Sequence, residues 1–326
     1  MQESLLHTEV CEILKIRYPI LMGAMVWISE PELVAAVSNA GGLGVIASAH
    51  LTVEELEGRI LRTKELTDKP FGVNIPLLVP LSTEKADLCI REDVPAVITS
   101  AGNPEKLTSK LKREGRRVLH VAPSVRLAKK AEDAGVDMVV AEGVEAGGHN
   151  SPYEVTTMAL IPQVVDTLSI PVVAAGGIGD ARGFVAARAL GAKGVQMGTR
   201  FAATVECAAH LSYKEALLRA KDVDTVITGR SANSPVRVLR NKFAEVLLRL
   251  EAKEISPDDF HEIVGAGRTK AALRDGDFEN GSPMAGQVAG LIHEILPVET
   301  VIREMVEGVE RIAREILAPE PSAKPL

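Results

Sequence analysis

The chain has 326 residues, 46% of them hydrophobic but only 3% aromatic, and a formal net charge of −7. This length suits one large α/β barrel or two ordinary domains, and the apolar fraction is enough for a full core. Because acidic and basic residues are interspersed, the charge pattern argues against a nucleic-acid-binding surface. The cysteines Cys11, Cys89 and Cys207 are widely separated, so we expect no disulfide framework and no zinc site.

No apolar signal-peptide core follows Met1–Ser4, and no run of about 18 uninterrupted apolar residues occurs along the chain. We therefore expect a cytoplasmic protein that has no membrane partner.

Short apolar runs recur along the first 200 residues at intervals of roughly 25 residues, the spacing of βα units. The predicted strands are Pro19–Met25, Leu43–Ala47, Phe71–Leu77, Ala96–Ser100, Val118–Ala122, Met138–Glu142, Val172–Ala175 and Gly194–Met197. Apolar residues at i, i+3, i+4 and i+7 predict helices at Glu30–Ala40, Val53–Leu66, Val125–Ala134, Thr156–Leu168 and Ala181–Leu190. Eight such units predict a closed (β/α)8 barrel, that is, a TIM barrel, and an open doubly wound sheet is the alternative.

The regular alternation of predicted strands and helices ends after Arg200. Residues 204–280 have charged helical patterns at Tyr213–Lys221, Arg237–Glu254 and Asp258–Arg274, which predict an inserted helical lid subdomain after strand eight. Glycine-rich chain returns at residues 281–287, further helices are expected over Val288–Leu317, and Ala318–Leu326 is expected to be a frayed tail. We thus expect residues 1–203 and 281–326 to form the barrel.

Three glycine clusters follow predicted strands and indicate one ligand site. The stretch Ala141–His149 contains two adjacent glycines and then an imidazole, and Ala174–Gly177 and Gln196–Thr199 end the last two strands. In a barrel the loops after strands seven and eight commonly bind a phosphate. The alternative is that these glycines only permit tight turns. Gly41–Gly44 begins a strand and does not match a dinucleotide-binding fingerprint.

Six motifs together resemble the superfamily of nitronate monooxygenases and FMN-dependent enoyl-ACP reductases of the FabK type. They are Gly23–Met25, Lys69–Asn74, Ala141–His149, Ala174–Ile178, Gln196–Phe201 and Gly281–Gln287. The resemblance spans residues 10–315 and implies a TIM barrel with a lid domain and a bound FMN.

The resemblance also implies roles for individual residues. The FMN phosphate would bind at Ala175, Gly176, Gly177, Gln196, Met197, Gly198 and Thr199. The remaining cofactor contacts would come from Gly23, Ala24, Met25, Asn74, Ser124, Glu142, Gly147, Gly148, Met284, Gly286 and Gln287. In this assignment Gly147 and Gly148 give the flavin room. Without the resemblance, Asn74 would be interpreted as a strand-end cap and Met25 as a core residue.

His149 is the catalytic candidate that the resemblance implies. The matching residue in the nitronate enzymes is the base that removes the α-proton of a nitroalkane, and in the reductases it orients substrate or relays a proton. Glu142 and Glu145 are candidates to orient the imidazole, with a solvent-facing Glu145 as the alternative. The other histidines, His120 and His210 among them, show no metal-ligand spacing, so we expect no metal.

The residues in these motifs are more similar to the reductase branch, which implies NADH or NADPH as electron donor and an acyl thioester as substrate. Acyl carrier protein and a second copy of the chain are the partners considered, and a nitronate monooxygenase is the alternative. A departure from the family pattern is Asn150–Tyr153, where an apolar residue and Gly usually follow the histidine. The more remote alternative is a non-redox barrel enzyme that binds a phosphate ligand, which would need a Schiff-base lysine or acidic metal ligands at strand ends. Lys15, Lys69 and Lys193 precede strands instead, and no cluster of Asp or Glu ends adjacent predicted strands.

Overall fold

The computed structural model describes residues 4–253, 255–265 and 267–317. The strands are β1 (Ile20–Met22), β2 (Gly44–Ala47), β3 (Phe71–Pro76), β4 (Ala96–Ser100), β5 (Arg117–Ala122), β6 (Met138–Glu142), β7 (Gly148–His149), β8 (Val172–Ala175), β9 (Gly194–Met197), β10 (Thr225–Thr228) and β11 (Val236–Leu239). The helices are α1 (Glu9–Leu14), α2 (Pro31–Asn39), α3 (Val53–Leu66), α4 (Ser82–Arg91), α5 (Thr108–Arg113), α6 (Val125–Asp133), α7 (Thr157–Thr167), α8 (Ala181–Ala189), α9 (Thr199–Ala202), α10 (Leu211–Arg219), α11 (Lys242–Glu251), α12 (Pro257–Val264), α13 (Arg268–Leu273) and α14 (Val298–Leu317). Short 3-10 turns cover Pro104–Lys106 and Gln287–Leu291.

Eight parallel strands form the predicted barrel. Their order is β1-β9-β8-β6-β5-β4-β3-β2. Leu43, just before β2, closes the ring against β1, because the Met22 amide donates to the Leu43 carbonyl at 2.9 Å and the Leu43 amide donates to the Ile20 carbonyl at 2.9 Å. The TIM-barrel prediction is confirmed, and all eight predicted strands overlap those observed. The strands could be recognised because a parallel strand covered on both faces is a nearly continuous apolar run.

Side chains alternate between the inside of the barrel and the layer of helices around it. Those that point inward and are fully buried form an apolar core over the lower part of the strands: Leu21, Val45, Ala96, Ile98, Leu119, Met138, Val140 and Val173. The N-terminal helix α1 plugs the bottom of this core with Val10 and Leu14. The carboxyl ends of the strands are left as the open end of the barrel.

The outer helices begin where the sequence offers caps. The clearest example is α3, where the Thr52 hydroxyl accepts a hydrogen bond from the Glu55 amide at 3.1 Å and the Glu55 carboxylate accepts one from the Thr52 amide at 2.8 Å. The C-terminal helix α14 returns to the barrel and packs against α8 and α2. The end of the chain therefore packs over the helices that follow β1 and β8.

The prediction that residues 204–280 are helical is wrong in one part. Helices α10, α11, α12 and α13 are present, but Arg237 lies in strand β11 and not in a helix. Strands β10 and β11 pair as an antiparallel hairpin, and β11 also pairs with β7, so that Val236 lies opposite His149. A small three-stranded sheet thus connects this segment to the loop after β6.

Two further expectations concern the periphery of the molecule. Among the described residues, no helix is both long enough and apolar enough to cross a bilayer. The cytoplasmic location stays a prediction. The predicted tail, Ala318–Leu326, lies outside the described residues.

Candidate active site

One cavity of about 670 Å³ opens at the carboxyl ends of the barrel strands. All eight barrel strands, or the residues that directly follow them, contribute to its wall. Parts of the insertion (residues 204–280) and of the glycine-rich segment after it (residues 281–287, the returning segment) close it from above, through Tyr213, Leu273, Met284 and Gly286. A concave and mostly apolar chamber at this end of a barrel is the usual place for a ligand.

Polar side chains from three strands form the floor of the cavity. Glu142 on β6 and Gln196 on β9 lie in the same row across the sheet, because each pairs with Ala175 on the β8 strand between them. Neither side chain makes a hydrogen bond within the described residues, and both line the cavity. Asn74 on β3 donates its amide protons to the Ile98 carbonyl and the Ser100 hydroxyl, both at 3.2 Å, and its side-chain oxygen accepts none from described residues. Such unpaired polar atoms are suited to hydrogen-bond a ligand.

Glu142 has an unusual electrostatic position. No lysine or arginine is found among the described residues that line the cavity, so no cation compensates a negative charge there. Burial alone raises the pKa of Glu142 to about 7. At neutral pH this carboxyl is therefore divided between its neutral and its charged form.

His149 lies at the cavity wall, where the small sheet holds its backbone. Pairing of β7 with β11 fixes its position, and the Asn150 amide donates to the Pro235 carbonyl at 2.8 Å. The imidazole is open to the cavity, remains accessible to solvent, and makes no hydrogen bond within the described residues. Partial desolvation by the surrounding cavity wall lowers the pKa of His149. The ring is therefore neutral at pH 7 and can accept a proton.

The loop between β6 and β7 is held by contacts with neighbouring protein segments. A Cβ atom on Gly147 would lie 2.6 Å from the backbone of Ala285 and Gly286, so this residue must be glycine for the returning segment to pass. Asn150, which departs from the family pattern, ties the loop together: its side-chain amide donates to the Ala146 carbonyl at 2.8 Å and the Gly148 carbonyl at 3.2 Å.

Glu145 neither orients His149 nor faces solvent freely. Its carboxylate accepts hydrogen bonds from the Thr157 amide, at 3.0 and 2.9 Å, and from the Thr157 hydroxyl at 3.0 Å. Thr157 is the first residue of α7, where a carboxylate stabilises the unpaired amides of a helix start. Glu145 thus anchors the loop between β6 and β7 to the barrel.

The loops after β8 and β9 present backbone to the cavity. Gly176 and Gly177 both have positive φ angles, +87° and +72°, which glycine adopts without strain. The Thr199 hydroxyl accepts a hydrogen bond from the Gly286 amide at 2.9 Å and so joins the β9 loop to the returning segment. Because the described part of the chain contributes no lysine or arginine to the lining, an anion here would depend on backbone amides and hydroxyls.

The structure brings together all but two of the predicted site residues. Those that line the cavity are Gly23, Ala24, Met25, Asn74, Glu142, Gly147, Gly148, His149, Ala175, Gly176, Gly177, Gln196, Met197, Gly198, Thr199, Met284 and Gly286. Ser124 lies outside the lining and caps α6, where its hydroxyl accepts a hydrogen bond from the Leu127 amide. Gln287 is exposed, and its backbone amide donates to the Glu145 carbonyl at 3.0 Å.

Sequence reasoning missed two supports of the site that come from the insertion. Tyr213 on α10 is buried and donates its hydroxyl proton to the Met284 carbonyl at 2.6 Å, which fixes the returning segment. Arg237 on β11 is also buried, and its guanidinium donates to the Val144 carbonyl at 2.8 Å. Burial raises the pKa of Tyr213 and lowers that of Arg237.

Comparisons with known proteins cover nearly the whole chain. The sequence model of the family described as nitronate monooxygenase matches residues 7–89 and 79–308. Among solved structures, FabK from Thermotoga maritima has a TM-score of 0.92 and 45% identity, covering 95% of this chain and 98% of that one.

Two curated relatives carry different names. A Rhodococcus jostii protein named (3aS,4S,5R,7aS)-5-hydroxy-7a-methyl-1-oxo-octahydro-1H-indene-4-carboxyl-CoA dehydrogenase is 35% identical, covering 95% of this chain and 98% of its own length. A Staphylococcus saprophyticus protein named probable nitronate monooxygenase is also 35% identical, covering 94% and 99%. The relatives are oxidoreductases, but they do not share one reaction.

Proposed function

The chain belongs to the nitronate monooxygenase family, and on that premise we propose that it is an FMN-dependent reductase of the C=C bond in an enoyl thioester. NADH or NADPH is the proposed electron donor. The observation that carries this proposal is the likeness to FabK, at 45% identity over 95% of the chain. The Rhodococcus relative is named as a carboxyl-CoA dehydrogenase, so this relative is named for a substrate linked as a thioester.

The residues of the cavity fit FMN. The family is FMN-dependent, and the cavity, at about 670 Å³, is within the range for ligands of this kind. The polar side chains of Glu142, Gln196 and Asn74 have free hydrogen-bonding atoms on the floor, where a polar heterocycle needs partners. The glycine loops after β8 and β9 have bare backbone, the usual ligand of a phosphate in a barrel.

Each part of the site then has a proposed role. Gly176, Gly177, Gly198 and Thr199 hold the FMN phosphate, and the floor residues hydrogen-bond the ring. When bound, FMN supplies the hydride-transfer chemistry of the reaction. His149 lies at the wall beside this floor, where its neutral ring orients the substrate or relays a proton. We propose residues 204–280 as the lid over this site.

A thioester substrate also agrees with the outer part of the cavity. Beyond the floor its wall is mostly apolar, with Val26, Ile28, Val79 and Leu127 among the lining residues. An acyl chain would bury its surface there and exclude water from the reacting carbon. Acyl carrier protein is the proposed carrier of the acyl group, and coenzyme A is the alternative.

A nitronate monooxygenase is the second candidate. The family model and the Staphylococcus relative carry that name. The neutral His149 favours it as well, because removal of the α-proton of a nitroalkane needs a base that is not yet protonated at pH 7.

An anaerobic titration of the oxidised flavoprotein separates the two candidates. We expect NADH or NADPH to bleach the flavin absorbance, and an enoyl thioester added afterwards to restore it. Bleaching by a nitronate but by neither nicotinamide would assign the monooxygenase. A purified protein that releases no flavin on denaturation would exclude both.

Gly198→Asp tests the phosphate site. Gly198 has room for a side chain, since the nearest atom to a Cβ placed on this residue would be the Met25 sulfur at 3.7 Å. The variant should therefore fold, but its carboxylate would repel the phosphate, and we expect FMN to be lost. Unchanged flavin content at wild-type stability would place the phosphate elsewhere.

A further inference from the structure

Glu142 lies on the cavity floor, and none of the described residues that line the cavity is a lysine or arginine that could pair with its carboxyl group. Met138 and Val140, on the same face of β6, are buried in the apolar barrel core directly beneath it. Ala175 on β8 lies beside it, Val121 on β5 lies opposite Val140 in the row below, and the nearest polar neighbour in its row is the amide of Gln196. A ligand that covers this floor therefore removes from water a carboxyl that no cation stabilises.

From this geometry we propose that Glu142 holds FMN as a neutral carboxylic acid, so that the protein takes up one proton when the cofactor binds. The proposal rests on the assignment of FMN to this cavity. A protonated Glu142 can donate one hydrogen bond to a ring acceptor and accept another, whereas a carboxylate could only accept. The neutral form also avoids repulsion from the phosphate dianion of the cofactor.

The direction of the proton exchange follows from burial. Without cofactor, water reaches Glu142 through the cavity and the pKa is about 7. A cofactor that covers the floor removes this water and favours the neutral form further. At pH 8 the carboxyl is mostly charged before binding and becomes neutral in the complex, so FMN binding should consume a proton and weaken as the pH rises.

Few other groups near Glu142 can exchange protons. Among the described residues that line the cavity, the other titratable groups are Glu145, His149, Tyr153 and Tyr213. The carboxylate of Glu145 is already held by Thr157. Strands β3, β5, β8 and β9 present no ionisable side chain to the cavity. The FMN phosphate, with a second pKa of about 6 for such esters, is fully ionised at pH 8.

Isothermal titration of the apoprotein with FMN at pH 8, in two buffers of different protonation enthalpy, measures the proton uptake directly. We expect the wild type to take up about one proton more than Glu142→Gln, whose amide is neutral at every pH. The dissociation constant of the wild type should rise by up to about tenfold per pH unit between pH 7 and 9, and that of the variant should rise less. Equal proton uptake in the two proteins, or release of a proton by the wild type, would overturn the inference.

Glu154→Gln is the matched control. Glu154 lies between β7 and α7, outside the cavity lining, and pairs with Arg230 at 2.5 Å, which lowers its pKa. It stays charged with and without FMN, so we expect this variant to take up the same number of protons as the wild type. Loss of the uptake in this control would count against Glu142 as its source.

A second measurement needs no variant at position 142. Infrared difference spectra of the wild type, FMN-loaded minus apo at pH 8, should contain the carbonyl band of a protonated carboxylic acid, and its absence would overturn the inference. If FMN does not bind the wild type at all, the proposed function fails together with this inference. If FMN binds with no difference in proton uptake, only the inference fails.

Discussion

The lower and the upper part of the barrel interior are built by the same strands but have opposite chemistry. Along β6, Met138 and Val140 are fully buried in the apolar core, and the next inward residue, Glu142, lines the cavity. On β3, β4 and β9 the inward residues near the carboxyl ends are likewise polar, as Asn74, Ser100 and Gln196. The apolar layer of the core and the polar layer that lines the cavity are thus consecutive along each strand.

The polar residues of the upper layer lower the stability of the folded protein. The upper layer has hydrogen-bonding atoms and one carboxyl that find no partner among the described residues, which a core built only for stability would avoid. Substitutions in the two layers should therefore have separable effects, on function above and on stability below.

The largest expected effect belongs to the upper layer. We expect His149→Ala to lower turnover by about 10²–10⁴-fold, since a positioned acid or base contributes that much, while FMN stays bound. In the wild type the rate should fall only below the ordinary histidine pKa, because burial lowers the pKa of His149 and the neutral ring persists to lower pH. Steady-state rates across a pH series, with flavin content measured in parallel, check both points.

The matched control for that substitution is His293→Ala, since His293 is exposed and does not line the cavity. It should leave turnover unchanged. If His149→Ala instead lost its flavin, the residue would support the cofactor site rather than the reaction.

The lower layer should show the reverse pattern. Leu119 on β5 is fully buried in the barrel core, and we expect Leu119→Ala to lower the free energy of unfolding by about 2–5 kcal/mol through the lost contacts and the cavity left behind. Urea unfolding of the apoprotein measures this loss, and FMN titration of the folded variant should give a nearly unchanged dissociation constant. A variant of normal stability that no longer binds FMN would break the distinction between the layers.

Glu142→Gln should change stability in the direction opposite to Leu119→Ala. Folding raises the pKa of Glu142 from 4.5 to about 7, so the folded chain keeps a proton that the unfolded chain loses, and wild-type stability falls as the pH rises through that window. The variant removes this penalty. We expect apo Glu142→Gln to be more stable than wild type at pH 8 by ~2 kcal/mol, after allowance for the partial exposure of the carboxyl, and equally stable at pH 4.

Thermal unfolding of both apoproteins at the two pH values checks this expectation. A variant no more stable than the wild type at pH 8 would mean that the carboxylate has a compensating partner on the cavity floor. The upper layer would then resemble the lower one in being built for stability.

The barrel could be predicted closely because its signals are local. Strands β4, β6, β8 and β9 have the predicted bounds, since each is a short apolar run buried on both faces. The hairpin of β10 and β11 was missed although Thr225–Thr228 and Val236–Leu239 are rich in β-branched residues and have turn residues between them. Strand β7 has no local signal, because two residues become a strand only when β11 is placed beside them.

The candidate site was predictable where a motif follows a strand and not where distant segments meet. The glycine clusters and His149 are of the first kind. Glu145 is of the second, because its partner Thr157 is twelve residues further on and no periodic pattern links them. Tyr213 and Arg237 belong to the insertion, whose position over the cavity depends on tertiary packing.

Tyr213→Phe should have the smallest effect, and it tests a residue of the insertion that both packs in the hydrophobic core and lines the cavity. The Tyr213 ring is buried and its hydroxyl donates to the Met284 carbonyl, beside the Gly286 amide that Thr199 holds. Phenylalanine keeps the packing but leaves that carbonyl unpaired, so we expect a loss of about 1–2 kcal/mol in the free energy of unfolding. FMN should also bind somewhat more weakly, because Met284 and Gly286 line the cavity. Urea unfolding and FMN titration of one preparation test both effects, with Tyr18→Phe, away from the cavity, as control. If stability falls while FMN affinity stays at the wild-type value, the returning segment stabilises the fold without shaping the site.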